Sequence, residues 1–229
     1  MMTQPNTDTP HLLPLPYTDD ILSYNIQDSA NPSEAIAFPS TIHCTSPEGL
    51  KIKKSCNGFG IFATKYFPKY SCVLQSKYVH VRDEHVKIKL IVDQCDTFEM
   101  DSLTHSATTG NGTRMLITFE TMMNHSCSAN SYIVEEIVDG KKTGSYKFYA
   151  LRDIQPNEEV TENYCLVIYD TKHLMPINPC HCGAETCQGR MLGFKNLPND
   201  EKEKLLPYTA LDVRVSHFLD KKQNGEQHN

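Results

Sequence analysis

Short runs of alternating apolar and polar residues dominate this chain from Leu50 onwards. Val86, Ile88, Leu90 and Val92 alternate with charged or polar neighbours, interrupted only by Ile91. A period of two puts such residues on one face of a strand, so the stretch predicts a half-buried β-strand. Tyr70–Leu74, Tyr78–Val81 and Arg114–Phe119 are further strand candidates. Tyr132–Val138 and Tyr146–Ala150 flank a glycine-marked stretch, residues 139–144, and predict a hairpin with a longer loop. Pro156-Asn157 reads as a turn, because Asn tolerates the left-handed conformation. Helical periodicity comes late. Glu201–Leu206 predicts a short helix stopped by Pro207, and Leu211, Val215, Phe218 and Leu219 share a helical face with Thr209 as N-cap. At the other end, residues 1–40 are rich in Pro, Asn, Asp, Ser and Thr without periodicity. They predict an extended or disordered arm, with Ile36–Phe38 as an apolar patch able to dock. The pattern is that of a mostly β domain with a short helical tail.

Composition adds limits. At 229 residues, 39% of them hydrophobic, the chain is long enough for one sizeable core. No basic region precedes an apolar run at the N-terminus, and no run is long enough to span a bilayer, so an intracellular protein without membrane contact is expected. No clear nuclear localisation cluster chooses between nucleus and cytoplasm. The net charge of −6 argues against nucleic acid and is compatible with a basic peptide partner. Nine cysteines, an odd number, then read as reduced thiols and a metal site rather than a disulfide framework.

The metal site is visible but incomplete. Cys180, Cys182 and Cys187 place three thiols within eight residues, with Gly183 allowing a tight turn between them. A structural zinc takes four ligands and favours thiolates. The fourth donor must come from elsewhere, and the notable upstream candidate is Cys127 in Asn124-His125-Ser126-Cys127. Gly58-Phe59-Gly60 precedes the apolar run Ile61-Phe62-Ala63; its glycines fit either close backbone approach to a ligand or a bulge.

Taken in order, these pieces resemble the SET-domain family of protein lysine methyltransferases with its post-SET zinc motif. Residues 58–63 match the family's Gly-x-Gly opening. Residues 124–130 match the Asn-His-Ser-Cys-x-Pro-Asn loop, with Ala129 in place of proline. Residues 148–164 match the stretch ending in Glu-Glu-Leu-Thr-x-Asp-Tyr, and Cys180, Cys182 and Cys187 match the post-SET Cys-x-Cys-x4-Cys. The resemblance spans about residues 49–194.

It implies a β-clip fold in which the C-terminal segment threads under a loop as a pseudoknot, an exception to the rule against threading. The implied divisions are an arm at 1–40, a SET domain at 41–175, a post-SET zinc segment at 176–195 and a helical tail at 196–229. The implied zinc ligands are Cys127, Cys180, Cys182 and Cys187, with His181 facing solvent. Cys44, Cys56, Cys72, Cys95 and Cys165 remain as buried thiols. S-adenosylmethionine is the implied cofactor, surrounded by Gly58, Phe59, Gly60, Asn124, His125 and Tyr164. Met191 either lies against the adenine or packs in the core. Tyr164 is the implied catalytic residue, and the implied partner is a lysine-containing protein or peptide such as a histone tail.

The chain departs from the family pattern on the substrate side. Glu162 stands where Phe or Tyr commonly lines the lysine channel, Asn163 replaces Asp, and Thr121-Met122-Met123 replaces Arg-Phe-x. Glu162 either points to solvent, binds a cationic substrate, or marks a channel no longer used for lysine. Three readings follow: a lysine methyltransferase, a SET-fold enzyme with a small-molecule substrate, or a regulatory protein that binds the cofactor and zinc.

Overall fold

The computed structural model describes residues 35–108, 113–139, 141–170, 179–187 and 189–223. Most of the expected N-terminal arm lies outside these residues. Its apolar patch does not: Phe38 is buried, while Ile36 bridges to Val81 and stays exposed.

Three small sheets build the domain. In the first, β1 (Thr41–Cys44) runs parallel to β6 (Lys87–Val92), which pairs antiparallel with β7 (Asp96–Asp101). Ile88, Leu90 and Val92 face the core, as their spacing predicts. Ile91, the residue out of pattern, sits half-buried on the opposite face beside its partner His43. In a second sheet, β5 (Val79–Arg82) pairs with β9 (Thr113–Leu116), and β9 with β8 (Ala107–Thr108). Buried Arg114 knits that region by donating to Asp83, Ser106 and the Leu103 carbonyl.

The largest sheet carries the Gly58-Phe59-Gly60 and Asn124-His125 motifs. Its order is β2 (Leu50–Ser55), β3 (Gly58–Ala63), β13 (Glu159–Glu162), β11 (Ser131–Val138), β12 (Lys141–Ala150) and β4 (Cys72–Lys77), with β10 (Asn124–His125) beside β13. The hairpin loop is shorter than its composition suggests. Lys141 and Lys142 already pair with Val138 and Ile137, and a register shift between Glu135 and Ile137 absorbs the mismatch. Asn157 takes the left-handed turn conformation at φ 68°. Tyr70 does likewise at φ 66°, so the strand expected to begin there starts at Cys72 instead.

Two chain segments 37 residues apart lie side by side, as the pseudoknot requires. Asn124 and His125 pair in parallel with Thr161 and Glu162, and the Ser126 amide donates to the Glu162 carbonyl. Fully buried Asn130 fastens the crossing. Its amide donates to the Glu159 carbonyl and its oxygen accepts from the Thr161 amide.

The tail forms α1 (Asn199–Leu205), a 3-10 turn through Pro207, and α2 (Leu211–Gln223). Pro207 is accommodated near the start of that turn, where its missing N–H costs nothing. Thr209 does not cap α2, because its hydroxyl donates backwards to the Leu206 carbonyl. The tail is instead held by an ion cluster. Lys142, 9% exposed, lies 2.8 Å from Glu135 and 2.7 Å from Asp212 of α2. Removing one member of such a cluster strands a buried charge. Lys142→Ala should therefore lose about 3 kcal/mol, seen as a lower urea midpoint at unchanged slope.

Candidate active site

Four sulfur atoms converge where the post-SET segment meets β10. The donor atoms of Cys127, Cys180, Cys182 and His125 all lie within 4.8 Å of one another. The Cys187 thiol reaches those of Cys127 and Cys182. Backbone amides point at the sulfurs: Cys127 donates to Cys182 Sγ at 3.4 Å and Gly189 to Cys187 Sγ at 3.4 Å. Burial would raise the Cys182 thiol, but the amides of Cys127 and Ala184, with the thiols of Cys187 and Cys180, outweigh it and bring it down to about 6. Burial and the neighbouring thiols push Cys127 the other way. Crowded thiols with N–H donors aimed at them suit a thiolate-bound cation, so the donor set fits zinc.

His125 rather than His181 accompanies this cluster; His181 is exposed. The Tyr164 amide donates to His125 Nδ1 at 3.2 Å, while Nε2 lies 3.4 Å from Cys127 Sγ. A ring that accepts at Nδ1 carries its proton on Nε2. Nε2 then donates to sulfur and has no lone pair for a metal. Burial lowers His125 to about 4, keeping it neutral. His125 thus links the cysteine cluster to the backbone of Tyr164.

Beside the cluster lies a cleft of about 220 Å³. His125, Cys127 and Met191 face it from one side, and Asn163 and Cys165 extend the wall. Met191 is 5% exposed at this edge, packed and also facing the cleft. Leu197, Glu201, Lys204 and Leu205 contribute a further wall from α1 and the turn before it. That wall carries no motif and escaped the sequence reading; only the apolar spacing of the tail hinted at a helix there. A partly apolar cleft with a few polar groups suits a nucleoside, so the site fits the adenosyl part of the cofactor.

Gly58, Phe59, Gly60 and Asn124 do not line this cleft. The two glycines sit in regular pairing with β2 and form no bulge. Gly60 is required by close approach: a Cβ there would collide with the Glu159 carboxylate and lie 2.8 Å from Asn124 Nδ2. Asn124 Nδ2 in turn donates to Glu159 at 2.7 Å and to the Phe59 carbonyl at 3.0 Å. Phe59 itself is half exposed, edge-on to Phe98. Of the five leftover cysteines, only Cys165 is buried, Cys44 is half-buried, and Cys56, Cys72 and Cys95 are exposed. Alternating strand positions and turns carry those three outward.

Tyr164 does not line the cleft either; its ring packs against His125 with centroids 5.2 Å apart. Its hydroxyl donates to the Met123 carbonyl at 2.8 Å. Burial, then the charge of Glu162, hold the phenol well above its usual value. Glu162 does not point to solvent. It is 8% exposed, and its Oε1 has no hydrogen-bond partner. A second carboxyl missed in the sequence, Glu120, is 3% exposed; Oε1 accepts from Tyr146 at 3.0 Å and Oε2 has no partner. Burial pushes the Glu162 carboxyl up to about 8. A folded value above the unfolded one means the native state holds the proton more tightly. That stabilisation is complete below the unfolded value, near 4.5, and is lost as pH rises through 8. Glu162→Gln should then be nearly neutral around pH 5 and stabilising by on the order of 2 kcal/mol around pH 9, read from urea midpoints.

The SET domain family model matches residues 58–165. The chain is 37% identical over 73 residues to Histone-lysine N-methyltransferase SETD1B of Xenopus laevis, covering 32% of this chain and 3% of that protein. It is 36% identical over 97 residues to Histone-lysine N-methyltransferase, H3 lysine-36 specific, of Kluyveromyces lactis, covering 41% and 12%. With Histone-lysine N-methyltransferase 2D of Homo sapiens it shares 28% over 138 residues, covering 57% and 2%. The chain thus spans a small part of the length of these curated relatives. Among the described residues, no helix is long and apolar enough to cross a membrane. Motif order, sheet arrangement and family match agree over one stretch: residues 58–165 form a SET domain.

Proposed function

We propose that this protein is a protein-lysine methyltransferase that uses S-adenosylmethionine and carries a structural zinc. The observation behind this reading is the placement of Tyr164. Its amide is held by His125 at the cysteine cluster, and its hydroxyl by the Met123 carbonyl. When bound, the cofactor supplies an electrophilic methyl group on a sulfonium. The protein's share of the work is alignment, since methyl transfer to an amine is an in-line displacement. The Tyr164 hydroxyl keeps its oxygen lone pairs free to accept from the amine, and it stays protonated at neutral pH. It serves as a fixed dipole rather than a base.

Cys127, Cys180, Cys182 and Cys187 would hold the zinc, and His125 and Met191 would face the adenosyl group. Gly58, Phe59, Gly60 and Asn124 act here through the β3–β10–β13 junction that shapes the site. A lysine-bearing segment would add as an extended strand, with a histone tail as the first candidate because the named relatives are histone-lysine methyltransferases. Such a substrate would place the enzyme in the nucleus.

The test is incubation of the purified protein with labelled S-adenosylmethionine and a set of histones and lysine peptides. Label in protein supports the reading; cofactor binding without transfer to any protein sinks it. Buried Glu162 favours one second reading, a small cationic substrate, which free amines in the same assay would reveal by accepting label where peptides do not.

A further inference from the structure

One carboxylate of the tail helix fastens a crossing of the chain beyond the SET segment. Two stretches 26 residues apart meet there: the Phe194 amide donates to the Ile168 carbonyl and the Lys195 amide to the Tyr169 carbonyl, each at 2.9 Å. Asp220 of α2 closes over the crossing. Its Oδ2 accepts from the Tyr169 hydroxyl at 2.7 Å and lies 3.1 Å from Lys195 Nζ, so a single oxygen holds both stretches. On the same helix, His217 rests edge-on against fully buried Phe194, with ring centroids 5.4 Å apart. A carboxylate within four residues of a helix C-terminus opposes the helix dipole, so α2 alone does not favour Asp220 there; its two partners do. The other end of α2 is anchored separately. The Ala210 amide donates to the Leu166 carbonyl at 2.7 Å, and Asp212 pairs with Lys142.

The crossing sits between two stretches that wall the cleft. Met191 and Leu192 precede it, Leu197 and Glu201 follow it, and all four line the cleft. Their placement against Asn163 and Cys165 on the facing wall is therefore set where Tyr169 and Lys195 are held. We propose that Asp220 is a positioning residue for the cleft, and that helix α2 sets through this clasp how tightly the adenosyl ligand is bound. The inference rests on the cofactor reading above for its ligand, and on the crossing alone for its means. Asp220 does not line the cleft. It acts by keeping the wall residues in place before the ligand arrives, which spares binding the cost of ordering them. Replacing Asp220 removes the clasp without weakening the helix that carries it, because a neutral or basic residue suits that end of α2 better.

The clasp is tested on the full chain by calorimetric binding of S-adenosylhomocysteine, the demethylated cofactor, read beside amide hydrogen exchange. Asp220→Ala should weaken the ligand roughly fivefold to tenfold, the scale for losing bonds to a partly exposed charge. Exchange should quicken at Phe194, Lys195 and α1 but not in β11 and β12. Tyr169→Phe should give a smaller loss of the same kind. The pairing itself is isolated by combining Lys195→Glu with Asp220→Lys. That swap should recover most of the affinity that Lys195→Glu alone loses, whereas a general loss of stability would not be recovered. Wild-type affinity in Asp220→Ala, or a folded swap variant that recovers nothing, overturns the proposal. If the wild type binds no S-adenosylhomocysteine, the cofactor reading falls and exchange decides the clasp. Faster exchange confined to Phe194, Lys195 and α1 in Asp220→Ala then keeps it, and unchanged or uniformly faster exchange removes it.

Discussion

Tyr164→Phe is expected to lower the turnover number by about a hundredfold or more, with cofactor affinity little changed, on the scale set by removal of one preorganised donor. The side chain sits where Met123 and His125 fix it from two directions. Phenylalanine keeps the ring against His125, whose centroid is 5.2 Å away, but removes the hydroxyl that the proposed mechanism uses to orient an amine. The structural loss is small by comparison. A single hydrogen bond to the Met123 carbonyl contributes about 1 kcal/mol. Rate and stability should therefore separate. A variant that unfolds in parallel with its loss of activity would remove Tyr164 from the chemistry.

Cys127→Ser is expected to release the metal as completely as Cys182→Ser does, although 55 residues separate the two in sequence. Serine is a poor ligand for zinc, and a structural site binds with free energy that is also folding free energy. The consequence should reach beyond metal content. Cys127 contacts His125, and His125 accepts from the Tyr164 amide, so losing the cluster loosens the backbone that presents the hydroxyl. Metal analysis of the two variants, with melting temperatures before and after chelation, checks the claim. Full zinc in the Cys127 variant would eliminate the four-thiolate arrangement. Loss in that variant with retention in His125→Gln would separate ligand from neighbour.

The parts of this fold that were readable in advance are those where chemistry leaves few residue choices. Thiols at ligand spacing, Asn157 in a left-handed turn and the alternation of Ile88, Leu90 and Val92 each follow from local rules. What escaped depends on partners distant in sequence. Gly60 reads as a ligand or bulge signal until Glu159 is seen filling the space of its missing side chain. Glu120 looks like an ordinary acidic residue before a hydrophobic pair, and only the fold turns it inward against Tyr146. Thr209 has the right identity for a cap, yet the preceding turn offered its hydroxyl a nearer acceptor. The exposed Cys56, Cys72 and Cys95 show the same limit, because residue type sets a tendency to bury and topology decides the case.

The cleft beside the cysteine cluster has walls from three stretches of chain: 125–127, 163–165 and 186–205. No one of them is a binding site alone, so a ligand that enters the cleft binds the native state and has no counterpart to bind in the unfolded chain. Thermodynamic linkage then makes the cofactor a folding ligand. At a hundred times its dissociation constant it would add about 2.7 kcal/mol to stability, enough to raise the melting temperature by several degrees. Cellular abundance of the protein would accordingly track the supply of its own methyl donor.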